Sequence, residues 1–167
     1  ISTSFNLFGS ADRENSDFQI AYLYQGGLGL PNRDYYTSDD ERSKEIRQKY
    51  LAHIERMLII AGTDETKAKK DAQDIYNFEY KLAQKSMTNL ELRDPFATTN
   101  RMDLSEIEKL SPKFDFKLYF NEINLPVPGT INVSQPEFFK QLSYLFDNTD
   151  IEIWKTYLKW NVINFAA

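Results

Sequence analysis

The sequence predicts a mainly α fold, an antiparallel helical bundle with a small N-terminal β-hairpin. Three observations predict it. Two long stretches carry apolar residues at helical spacing, with only a Gly62-Thr63 turn between them. Helix-start signals recur further along, and strict alternation is confined to the N-terminal segment.

In chain order, Phe5 and Leu7 alternate with polar neighbours, Gly9 to Asp17 is polar, and Phe18, Ile20 and Tyr22 alternate again, which predicts the hairpin. Gly26-Gly27-Leu28-Gly29-Leu30-Pro31 follows, its glycines open to backbone angles that side chains forbid. Ser38 and Glu41 have capping-box spacing, and Asp39, Asp40 and Glu41 suit the positive end of a helix dipole. Ile46, Tyr50, Ile54, Met57, Leu58 and Ala61 then mark one face of a helix that ends at Gly62. Roughly 23 residues of helix would span about 35 Å. Thr63 is placed to cap a second long helix with Ala68, Ala72, Ile75, Leu82 and Ala83 on its inner face, and so short a turn makes the pair antiparallel.

Arg93-Asp94-Pro95 breaks the pattern, because the residue before a proline resists helical angles. Two shorter helices are expected next. Asp103 with Glu106 caps one that carries Leu104, Ile107 and Leu110; Asp115 caps another that carries Phe116, Tyr119, Phe120 and Ile123. Pro126, Pro128 and Gly129 mark a loop or edge segment. Ser134 and Glu137, with Pro136 in the first turn, start a helix bearing Phe138, Leu142, Leu145 and Phe146. Thr149 and Glu152 repeat the device before Trp154, Tyr157, Leu158 and Trp160.

Length and composition fit a single region over 1–167, with 41% hydrophobic residues, 12 Phe and 10 Tyr to build a core. A net charge of −5 without a basic block argues against nucleic acid and against anionic membrane surfaces. The apolar runs are far shorter than a membrane span, so direct membrane contact from this segment is not expected. Cysteine is absent, which removes disulfides, thiolate nucleophiles and cysteine-based metal sites together. The start at Ile1-Ser2-Thr3-Ser4 and the end at Asn164-Phe165-Ala166-Ala167 suggest a segment of a longer polypeptide.

Catalysis needs a positioned acid, base, nucleophile or metal. His53 is the one histidine, so a two-histidine zinc motif cannot form. In His53-Ile54-Glu55-Arg56-Met57 the glutamate falls one place late and Met57 stands where a second ligand would be, so His53 reads as a packing residue. No serine lies in a Gly-x-Ser-x-Gly elbow, and the glycine cluster lacks the Gly-Lys-Ser/Thr ending of a phosphate loop. Glu79 falls between Ile75 and Leu82 on an inner face, where a lone charge is costly. Arg33 or Arg93 is the expected neutralising partner, in preference to a glycosidase acid needing a second carboxylate. Asn132-Val133-Ser134 has the pattern of a glycosylation acceptor, or is an accident of sequence. Most aromatic residues sit at core spacing. No catalytic and no metal-binding residue is assigned, and the substrate-binding residues stay unknown. A stand-alone, non-catalytic α-helical binding or scaffold module is the alternative reading.

Several strings together resemble the N-terminal lobe of the neprilysin and endothelin-converting-enzyme family of zinc metallopeptidases. They are Gly27-Leu28-Gly29-Leu30-Pro31-Asn32-Arg33-Asp34-Tyr35-Tyr36, Lys49-Tyr50-Leu51-Ala52-His53-Ile54, Glu79 with Leu82-Ala83, Glu91-Leu92-Arg93-Asp94-Pro95, and Trp154 to Trp160. The resemblance implies a two-lobed oligopeptidase, membrane-tethered or exported, hence an extracytoplasmic location. In such an enzyme zinc on a His-Glu-x-x-His helix polarises the scissile carbonyl and activates a water, with the motif glutamate as general base. This chain matches the lobe that caps the substrate chamber. Zinc is expected in the parent and not here, with peptide substrates and the catalytic lobe of the same polypeptide as partners. The matching residues are expected to do structural work: Gly27 and Gly29 permit a tight crossing from hairpin to helix, and Arg33, Asp34, Glu79 and Arg93 form a buried polar cluster locking it. Removing one partner of such a network costs about 3–5 kcal/mol.

Overall fold

The computed structural model describes residues 4–166. Among them are seven α-helices and a four-stranded sheet, arranged as two compact units.

One unit comprises residues 27–85 and 149–166. It holds α1 (Asp34–Thr37), α2 (Glu41–Ile60), α3 (Glu65–Ala83) and α7 (Ile151–Ala166). Tyr50, Ile54 and Leu58 from α2 pack with Ala68, Ala72 and Ile75 from α3 and with Trp160 from α7. Leu58 lies just before the turn and Ala68 just after it, while Tyr50 and Glu79, each further out, are joined by a hydrogen bond. The two long helices therefore run antiparallel, as their short connection requires. Gly62 adopts φ +87, and Thr63 N–H bonds the Leu58 carbonyl to close the helix end. Each fully buried Ile or Leu contributes about 1.5–3 kcal/mol, so this seam is a substantial part of the unit's stability.

The caps of the long helices differ from the spacing-based expectation. Asp40, two residues beyond Ser38, accepts the Ser43 N–H at 2.9 Å, and Ser38 itself donates to Asp40. Those hydroxyls hold the Asp40 carboxyl below the usual carboxylate range. At α3 the cap is Asp64 instead of Thr63, and at α7 Asp150 instead of Thr149 takes up an orphan N–H. A carboxylate beside a hydroxyl wins because its charge also meets the helix dipole.

The other unit comprises residues 4–26 and 86–148. Strands β1 (Phe5–Ala11) and β2 (Gln19–Gln25) form the expected hairpin, Leu7 facing Leu23 and Phe8 facing Tyr22. It extends into a mixed sheet of order β1-β2-β4-β3, with β3 at Arg101–Met102 and β4 at Ile131–Val133, β4 parallel to β2. Two or three residues are too few to show a period, so neither strand was legible in the sequence. Helices α4 (Leu104–Leu110), α5 (Phe116–Glu122) and α6 (Pro136–Asn148) complete the unit. Asp103 and Glu106 form the full capping box, and Asp115 caps α5. Phe5 meets Phe114 edge-on at 5.5 Å and Phe139 at 5.6 Å, the centre of an aromatic core.

Candidate functional site

The most elaborate polar site lies inside the helical unit, around Glu79 on α3. Its side chain is only 1% exposed. Tyr36 Oη donates to Glu79 Oε2 at 2.7 Å, and Tyr50 Oη lies 3.0 and 2.9 Å from the two carboxylate oxygens. Each phenol is itself held: Leu30 N–H donates to Tyr36 Oη at 2.9 Å, and Trp160 Nε1–H donates to Tyr50 Oη at 3.2 Å. The Gly29 backbone and the Trp160 indole favour the charged form of the same carboxyl. Nearby, Tyr157 Oη donates to the Gly27 carbonyl at 2.8 Å. The segment from Gly27 to Leu30 is thus tied by backbone groups to α7 at Gly27 and to α1 at Leu30.

This explains the glycines. Gly27 has φ 76, a region that favours glycine. A Cβ on Gly29 would stand 1.8 Å from Tyr50 Oη, so no side chain fits beside the phenol that holds Glu79.

Burial raises the Glu79 carboxyl to about 7, its polar neighbours only partly offsetting the lost hydration. Burial, and then the Glu79 charge, push the Tyr36 and Tyr50 phenols well above their ordinary range, so both stay protonated donors at any working pH.

Of the four residues expected to form a buried polar cluster, Glu79 is buried, Arg33 is half-buried, and Asp34 and Arg93 are exposed. The neutralising arginine is corrected here: among the described residues Glu79 is in no ion pair, and neutral donors satisfy it instead. Tyr36, Tyr50 and Trp160 were legible only as core positions, since sequence does not say that their polar atoms converge. His53 sits edge-on to Trp160 at 5.9 Å, a packing role. Asn132 is 1% exposed and its Nδ2 donates to the Thr98 carbonyl and to Ser134 Oγ, both at 3.0 Å, so it is a structural amide in the folded chain and no accessible glycan acceptor.

A neutral-donor cage around one carboxyl can hold backbone in place and can hold a proton. It offers no nucleophile. Among the described residues no group of three or more His, Cys, Asp and Glu side chains is placed to hold a metal ion. With a single imidazole and no thiol, the donors present do not fit a His-His-Glu zinc centre. Also among the described residues, no helix is long and apolar enough to cross a membrane.

Comparison with known proteins accounts for this pattern. A family model described as Peptidase family M13, for its N-terminal part, matches residues 1–167. Endothelin-converting enzyme 1 of Mus musculus is 31% identical over 166 residues, covering 95% of this chain and 21% of that protein. Its Homo sapiens counterpart is also 31% identical, with the same coverage of 95% and 21%. A zinc metalloprotease of Mycobacterium tuberculosis, solved with an inhibitor, superposes with a TM-score of 0.89 at 23% identity, covering 96% of this chain and 24% of that one. At that identity the likeness shows a shared fold. The chain spans about a fifth of the length of the curated relatives it matches. With the family expected from the Gly27–Tyr36 string matched across the whole sequence, the chain belongs to peptidase family M13.

Proposed function

We propose that this chain is part of the substrate-chamber capping lobe of a zinc-dependent metalloendopeptidase that hydrolyses peptides, with the zinc ligands and the catalytic base supplied by another part of the same polypeptide. The observation that carries the reading is the match to the N-terminal part of a peptidase family along all 167 residues, in a chain holding one histidine and no cysteine. A tetrahedral His-His-Glu centre needs two imidazoles, so the hydrolytic chemistry has to be housed elsewhere. The capping role rests on the likeness to the N-terminal part of the family, and a helical unit whose buried carboxyl is engaged with its own side chains is compatible with it. An extracytoplasmic location belongs to the same proposal and rests on the family alone.

The test uses the parent polypeptide beside the 167-residue chain. The parent is expected to carry a His-Glu-x-x-His helix downstream and to cleave an internally quenched peptide until a chelator removes the metal. The chain by itself is expected to take up no stoichiometric zinc and to leave the peptide intact. Metal-dependent cleavage by the chain alone would overturn the proposal.

A further inference from the structure

We propose that Glu79 is a proton-dependent latch, which holds the Gly27–Leu30 crossing on the helical bundle more firmly as the surroundings become more acidic. The geometry supplies three reasons. First, Glu79 holds the crossing by way of the Tyr36 hydroxyl, which accepts Leu30 N–H, and through Tyr50, whose hydroxyl lies hard against Gly29. Opening the crossing therefore exposes this carboxyl to water. Second, its hydrogen-bond donors are neutral, the Tyr36 and Tyr50 phenols, with the Trp160 indole donating to Tyr50 behind them. Among the described residues no ion pair with Glu79 offsets the cost of keeping a charge in the interior. Third, Tyr50 Oη lies within 3.0 Å of both carboxyl oxygens, so it can donate a hydrogen bond to one and accept one from the other when that oxygen is protonated. The closed site thus accommodates the neutral acid as well as the carboxylate.

The groups facing Glu79 from each element are few. They are Tyr36 from α1, Tyr50 from α2, Tyr157 and the indole of Trp160 from α7, and Tyr76 on α3 itself. Arg47 of α2 is engaged elsewhere, by the Tyr35 and Ser38 carbonyls at 3.0 and 2.7 Å. The tyrosines stay protonated, and histidine is the other residue type that titrates near neutrality, which makes His53 beside Trp160 the necessary control.

The direction follows from linkage. The closed carboxyl titrates at about 7, against 4.5 when solvated, so between these values the closed form binds more protons than the open one. Latch strength is complete below about 4.5 and is lost as pH rises through about 7.

Hydrogen–deuterium exchange on the intact, uncut protein measures the latch at the amide of Leu30, which the Tyr36 hydroxyl holds. After correction for intrinsic exchange rates, protection is expected to fall by about tenfold or more between pH 5 and pH 8. It should do so in His53→Gln as well, and become flat with pH in Glu79→Gln. Tyr36→Phe should weaken Leu30 protection at every pH while keeping the slope. A wild-type profile flat across that range overturns the proposal, as does an unchanged slope in Glu79→Gln. If Glu79→Gln fails to fold, the wild-type and Tyr36→Phe slopes decide the matter, and a flat profile in either sinks it.

Discussion

Individual atoms set the conformation of the crossing. Gly29→Ala would drive a methyl group to within 1.8 Å of Tyr50 Oη, and the phenol cannot retreat without giving up Glu79. We expect at least about 1–3 kcal/mol of destabilisation, read from the denaturant midpoint at constant slope. Tyr36→Phe deletes one donor to Glu79 and orphans the Leu30 N–H, for a cost of about 1–3 kcal/mol. Asp34→Ala, by contrast, removes an exposed side chain and should leave the same midpoint where it is. The resemblance joined Asp34 and Tyr36 in one string, yet the structure assigns them unlike environments. Arg33→Ala bears on the polar lock as first conceived, and an unchanged melting temperature would remove Arg33 from it.

Among the elements, helix ends were the most readable feature for the short helices and the least for the long ones. The capping box at Asp103 and Glu106 and the cap at Asp115 formed as their spacing implies, because a single acceptor stood in reach of the orphan N–H groups. Where a hydroxyl and an aspartate compete within two residues, as Ser38 and Asp40 do, the local pattern is ambiguous and charge decides. Asp103→Ala should therefore lower the unfolding midpoint, and Asp103→Asn, which keeps an acceptor, should restore most of the loss. If both variants unfold alike, the box contributes nothing to α4. The sheet is the opposite case. Strands β3 and β4 exist because the hairpin offers a strand edge to pair with: Ser134 N–H bonds the Leu23 carbonyl at 2.9 Å, and Asn132 bridges to Thr98. Nothing in two or three residues announces such pairing.

For the whole molecule, the prediction is a division of labour. The isolated chain should show no zinc-dependent hydrolysis, checked by metal analysis and peptide cleavage side by side with the parent. By itself the sequence determined three things: a mainly α chain, a family likeness in which specific strings recur in order, and a donor inventory too poor for a zinc centre. Each is a matter of local spacing or of counting, and both survive without coordinates. The tertiary structure alone decided which polar atoms meet. Glu79 was visibly misplaced among Ile75 and Leu82, and an arginine was the reasonable partner to expect. The partners turned out to be Tyr36 and Tyr50, with Trp160 holding the Tyr50 hydroxyl in turn, a set spread over three helices and more than a hundred residues of chain. Those rings have to be buried for their apolar surface, and once buried their O–H and N–H groups need acceptors. One carboxyl serves both phenols, and the Tyr50 hydroxyl serves the indole, a convergence that only the packing of α1, α2, α3 and α7 can specify.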